Sequence, residues 1–100
     1  MDVRYFRLTQ LREALEFARA GGVAVHRNFD FYDGTVIRGV ARPGPFLHVL
    51  GLRPLLERWG SGLGLRPEWV QPEHRGIAHF DLHGWVATQV IERITQAGSP

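Results

Sequence analysis

Three polar residues in the last third of the chain have the types and spacing of a metal site. In the segment His79-Phe80-Asp81-Leu82-His83, polar and apolar residues alternate. In a β-strand, successive side chains point to opposite faces, so His79, Asp81 and His83 would share one face. Imidazole and carboxylate groups are good ligands for zinc, iron and manganese. The spacing therefore predicts a site for a divalent metal such as zinc or manganese.

Other residues could complete this site. His74 lies upstream of the segment, and either His74 or His48 could add to or support the ligand set. In a metal-dependent hydrolase a metal-bound water would be the nucleophile, and Arg75 could hold an anionic substrate. The alternative is a structural role for these residues. Gly84 follows the segment directly, and Asp81 or His83 could instead cap a final helix. The sequence leaves both interpretations open.

Several other chemistries are excluded by composition and motif. The chain has no cysteine, so disulfides, thiolate metal sites and cysteine nucleophiles are not available to it. It contains no Gly-x-Ser-x-Gly motif of the kind that carries a serine nucleophile. The glycine-rich segment at residues 60–64 is not followed by the Lys-Ser/Thr pair that ends a phosphate-binding loop.

The charge pattern does not favour nucleic-acid binding. The chain has twelve basic residues, all of them arginine, and ten acidic residues, for a formal net charge of +2. The arginines are scattered singly from Arg4 to Arg93, whereas a nucleic-acid-binding surface usually has clustered positive charge. Nucleic acid is therefore a less favoured partner, although scattered arginines could still converge on one surface.

The order of the predicted elements indicates an α+β fold. One hundred residues with 44% hydrophobic composition predict a single domain over residues 1–100. The predicted order is βαββαβα, in a two-layer fold with helices packed on an antiparallel or mixed sheet, and a ferredoxin-like topology is one candidate. The run 46–50 is either a further strand or a buried connection. The predicted elements are strand 2–8, helix 10–20, strand 23–31, a hairpin turn at Asp33-Gly34, strand 35–40, helix 55–59, strand 77–82 and helix 84–96.

Part of the chain resembles a known family. The residues that carry the resemblance are Leu47-His48-Val49, the helix around 55–59, the stretch GLRPEWVQ at 64–71, and His79-Phe80-Asp81. Over residues 46–83 they are similar to the DUF4031 family of small bacterial proteins, although Phe80 replaces the family's tyrosine and more residues separate Gln71 from His79. That family has no established activity. The resemblance implies only a pocket around His48, Trp69, Gln71, His79 and Asp81.

Two functional hypotheses follow. The first is a non-catalytic binding or assembly module of a small bacterial protein, with a ligand held by His48, Trp69, Gln71 and Arg75. Its three tryptophans and its sheet edges would favour a homodimer. The alternative is the metal-binding protein or metal-dependent hydrolase described above.

The N-terminal segment carries charges where a signal peptide needs an apolar core, and no apolar run approaches the length of a membrane span. We therefore expect a cytoplasmic protein with no membrane partner.

Overall fold

The protein is an α+β structure built around one mixed β-sheet. The computed structural model describes residues 2–32, 36–37, 40–41, 44–74 and 76–98, and it describes the side chains of residues 2–27, 47–73, 76–82 and 86–94. The elements, in chain order, are β1 (Val3–Phe6), α1 (Leu11–Arg19), β2 (Val23–Tyr32), β3 (Val36–Ile37), β4 (Val40–Ala41), β5 (Gly44–Gly51), α2 (Arg53–Ser61), β6 (Gln71–His74), β7 (Ile77–His83) and α3 (Gly84–Gly98).

Five of the strands form the main sheet, in the order β1-β2-β5-β7-β6. β1 and β2 are parallel, and the other neighbouring pairs are antiparallel. The short strands β3 and β4 pair with each other. One row of directly opposed residues crosses four strands of the main sheet, with Phe6 on β1, His26 on β2, His48 on β5 and Asp81 on β7. Opposed residues on neighbouring strands share a face, so this row lies on one side of the sheet.

The helices cover both faces of the sheet. On the face that carries this row, Ala14 and Ala18 of α1 are fully buried in a small core with Phe6 and Leu50. The opposite face carries the larger core, which α2 and α3 cover. Its fully buried side chains include Phe80, Leu47 and Leu56, and burying a side chain of this size contributes about 1.5–3 kcal/mol.

Two glycines permit this packing. Gly60 in α2 lies so close to β7 that a Cβ atom there would come within 2.8 Å of the Phe80 ring, which allows the helix to approach the sheet. Gly21 has a φ of 102°, a backbone conformation that residues with a side chain rarely adopt, and it turns the chain at the end of α1. There the Gly22 N–H donates to the Phe17 carbonyl, and the chain then enters β2.

The structure confirms the α+β class and the packing of helices on a mixed sheet, but some details differ from the expectation. A ferredoxin-like topology is wrong, because that fold has a split βαβ unit and here β1 and β2 pair directly. The helices lie on both faces of the sheet, which makes three layers rather than two. The strand that pairs with β2 is β5 and not segment 35–40, and β6 is an additional strand at the sheet edge. The Asp33-Gly34 turn lies outside the described residues.

The choice of β5 as the partner of β2 has a physical reason. β5 carries Leu47, Val49 and Leu50, which are buried on the two faces of the sheet. The segment 35–40 contains Arg38 and Gly39 and offers much less apolar surface for burial. A central strand covered on both faces needs a nearly continuous apolar sequence, and β5 comes closer to that requirement.

Candidate metal centre

His48, His79 and Asp81 form a compact cluster on the face of the sheet that carries α1. His48 on β5 lies directly opposite Asp81 on β7, and His79 precedes Asp81 by two residues, so both β7 side chains point to the same face. The Oδ1 atom of Asp81 is 3.0 Å from His48 Nε2 and 3.4 Å from His79 Nε2. One possible ligand atom from each residue lies within 4.8 Å of the other two. We call these three residues the metal cluster.

The metal cluster is partly buried but open to solvent. The side chains of His48, His79 and Asp81 are 31%, 30% and 34% exposed. The two imidazole rings meet edge to face, with their centroids 5.3 Å apart. An ion bound by these side chains would therefore keep coordination positions that water or a small ligand could reach.

The contacts within the metal cluster do not have hydrogen-bond geometry. Asp81 Oδ1 is itself buried, and it accepts no hydrogen bond from any residue that the structure describes, although two ring nitrogens are close to it. Ligand atoms that share one ion through bonds of about 2.1 Å are separated by roughly 3.0 Å in octahedral and 3.4 Å in tetrahedral geometry. The two distances from Asp81 Oδ1 are compatible with this spacing.

Asp81 has a strongly perturbed acidity. Its polar contact with the His48 imidazole, and then the one with His79, hold the pKa of the Asp81 carboxyl well below its usual range, although partial burial opposes this effect. The carboxylate is therefore ionised at neutral pH, which is the form that binds a metal ion.

This low pKa predicts how acid affects the metal-free protein. A depressed native pKa stabilises the fold above the unfolded-state pKa of about 3.9, and that stabilisation is lost as the pH falls through the native value. In the presence of a chelator, we expect the stability advantage of the wild type over Asp81→Asn to shrink as the pH falls below about 4. Urea unfolding between about pH 5 and pH 2 measures the difference. An advantage that grows as the pH falls through this range would contradict the prediction.

His26 on β2 lies on the same face of the sheet as the metal cluster, at a buried position. It lies directly opposite His48 and is only 2% exposed. Its Nε2 atom donates a hydrogen bond to the Leu8 carbonyl at 3.1 Å, which holds the turn before α1 against the sheet. Its Nδ1 atom is buried and has no hydrogen-bond partner among the described residues. The sequence places His26 in a predicted strand but indicates no role for it, because its neighbour His48 is distant in the chain.

The structure brings together part of the predicted metal site. His79 and Asp81 are adjacent, as the period of two predicts, and His48 joins them from β5. His83 is the last residue of β7 and pairs with Phe46, and His74 is the last residue of β6. The side chains of His83 and His74 lie outside the described part of the structure, so their roles as ligands remain predictions.

The residues of the predicted ligand pocket are more dispersed. Gln71 lies directly opposite His79 at the sheet edge and is partly buried. Trp69 belongs to a short 3-10 turn before β6 and is 48% exposed. Arg75 lies outside the described residues. Of this group, His48 belongs to the metal cluster, and Gln71 lies beside it because of the register of β6 on β7.

Comparisons with known proteins give no relative for this chain. No protein-family model matches it, and neither a curated protein nor a solved structure shows a significant match. The resemblance to the DUF4031 family therefore stays a prediction. Within the described residues, none of the helices combines the length and the apolar character needed to cross a membrane.

Proposed function

We propose that the protein binds one divalent transition-metal ion through His48, His79 and Asp81. The observation that supports this proposal most directly is the position of Asp81 Oδ1, which lies 3.0 Å and 3.4 Å from two imidazole nitrogens without a hydrogen bond from either. A carboxylate that only oriented two histidines would accept their N–H groups in good geometry. Three donor atoms that converge in this way could bind one cation together.

The donor set favours a metal that accepts both nitrogen and oxygen. Two imidazoles and one carboxylate bind zinc in hydrolytic enzymes and iron(II) in oxygenases, and in both cases open positions remain on the ion. Affinity for such donors rises from manganese through iron(II) to copper and falls again at zinc, which still binds more tightly than manganese. We therefore propose zinc rather than manganese or iron(II) as the ion that the site holds.

The partial exposure of the metal cluster is compatible with hydrolysis. A bound zinc ion lowers the pKa of a coordinated water to about 7 and so supplies a nucleophile at neutral pH. In this chain His48, His79 and Asp81 would hold and orient the ion. About one-third of the surface of each side chain is exposed, which would leave the site open to a substrate. Metal binding is the primary proposal, and hydrolysis is the reaction class that it supports.

The test is the metal content of untagged protein, measured by elemental mass spectrometry. We expect close to one zinc ion per chain after purification or after incubation with zinc. His79→Ala should lose this ion. Glu57→Gln is the matched control, because Glu57 lies in α2 over the opposite face of the sheet and pairs with Arg53 at 2.9 Å. The control should retain full metal content.

A negative result would have a clear meaning. If the wild type binds neither zinc, manganese nor iron(II) after incubation, the metal proposal is wrong. The non-catalytic binding or assembly module would then be the remaining hypothesis. Circular dichroism of each variant would show that the loss of metal in His79→Ala does not come from unfolding.

A further inference from the structure

We infer that the metal site takes a small anion with an oxygen donor, a carboxylate or a phosphate, and that Gln71 donates a hydrogen bond to it. This inference rests on the proposed metal binding and goes further, because it names the class of exchangeable ligand and the residue that selects it. Both parts come from the charge of the site and from the register of β6 on β7.

The charge of the loaded site favours an anion. Asp81 is the single carboxylate in the metal cluster, and the two histidines bind metal as neutral imidazoles. A divalent ion held by one carboxylate leaves the site with a net charge of about +1. A bound metal ion is often the largest local charge in its site. The surrounding side chains are only about one-third exposed, so water screens this charge less than at an open surface. An anionic oxygen donor would neutralise it.

Gln71 is placed to contact a ligand on the ion. It lies directly opposite His79 in the antiparallel pair of β6 and β7, so both side chains are on the same face. The Cβ atoms of opposed residues are about 4.5–5.5 Å apart, within reach of a glutamine side chain. Gln71 is partly buried. Its amide is in none of the side-chain hydrogen bonds formed within the described residues.

The chemistry of the amide fits this role. The side-chain NH2 group donates hydrogen bonds but carries no charge, so it could orient an anion without competing for Asp81 as a cation would. A hydrogen bond to a charged partner strengthens binding by about tenfold or more. The ion would then supply most of the attraction, and Gln71 would distinguish ligands with a second oxygen acceptor from simple water.

The experiment uses the full-length protein loaded with cobalt(II), whose visible absorption reports changes in coordination. Acetate, phosphate and the neutral analogue acetamide are titrated into the wild type, Gln71→Leu and Gln89→Leu. Gln89 is exposed on α3, over the opposite face of the sheet, and is the matched control. We expect acetate or phosphate to change the spectrum of the wild type. The affinity for the anion should fall about tenfold in Gln71→Leu, while the cobalt affinity should change less than about twofold.

The outcomes separate this inference from the metal proposal. If cobalt binds but neither anion changes the spectrum, or if acetamide binds as tightly as the anions, the inference is wrong and metal binding stands. Equal anion affinity in Gln71→Leu and the wild type would remove the role of Gln71. If cobalt itself does not bind, both proposals fail. A stronger response to acetate or to phosphate identifies which of the two anions the site prefers, and Gln89→Leu should behave as the wild type.

Discussion

Replacing His48 with alanine is expected to abolish most of the stabilisation that zinc gives this protein. A ligand that binds only the folded state, at one hundred times its dissociation constant, raises the free energy of unfolding by about 2.7 kcal/mol. His48 is one of three proposed ligands and comes from a different strand than the other two. If its loss weakens binding at least one hundredfold, the stabilisation at the same zinc concentration falls to about 0.4 kcal/mol or less. Urea unfolding with zinc and with a chelator measures both values.

A double variant makes this test sharper. If His48 and His79 bind the same ion, either substitution alone removes the zinc-dependent stabilisation, and the double variant His48→Ala/His79→Ala loses nothing further. Such strong non-additivity is typical of residues that act on one partner. Separate sites would give a different result, in which each single variant keeps part of the zinc effect and the two losses add. That additive result would contradict a shared ion.

The second large effect is expected in the core. Phe80 is fully buried at the centre of β7, where it packs against Trp59 and against the backbone of α2 at Gly60. Truncating a buried phenylalanine to alanine leaves a cavity and typically costs about 3–5 kcal/mol. We therefore expect Phe80→Ala to lower the free energy of unfolding in urea by this amount, a large part of the stability of a chain of this size.

An exposed aromatic residue supplies the control for this measurement. Trp69 is 48% exposed and lies outside both cores. Surface substitutions away from special features usually change stability by less than about 0.5 kcal/mol, so Trp69→Ala should have a small effect. Equal losses in the two variants would mean that Phe80 does not carry the packing role that its burial indicates.

The sequence was sufficient for those features that depend on local periodicity. The alternation in residues 79–83 predicted both the strand and the shared face of His79 and Asp81. The apolar stripe of residues 11–18 predicted α1, and the glycines after it predicted its end. These patterns depend on the geometry of one element, which neighbouring residues in the chain determine.

Features that depend on long-range pairing were not accessible in the same way. His48 reaches Asp81 only because β5 pairs with β7 in one particular register, and a shift of one residue would turn His48 to the opposite face. The sequence favoured His74 and His83 as ligands because they are near His79 in the chain, and it indicated His48 only as a residue that could complete or support the site. The choice of β5 over segment 35–40 as the neighbour of β2 likewise depends on competition between distant strands for the same buried positions.

The register of β5 on β7 also determines when the metal cluster can exist. α2 and β6 lie between His48 and His79 in the chain. The three side chains therefore meet only after this long intervening segment has folded back and brought β7 against β5. During synthesis, His48 leaves the ribosome well before its partners, and it cannot share an ion with them until β7 has been made and paired. Contacts of this range form late and slowly. If the proposed site is correct, metal loading would follow assembly of the sheet and could not initiate it.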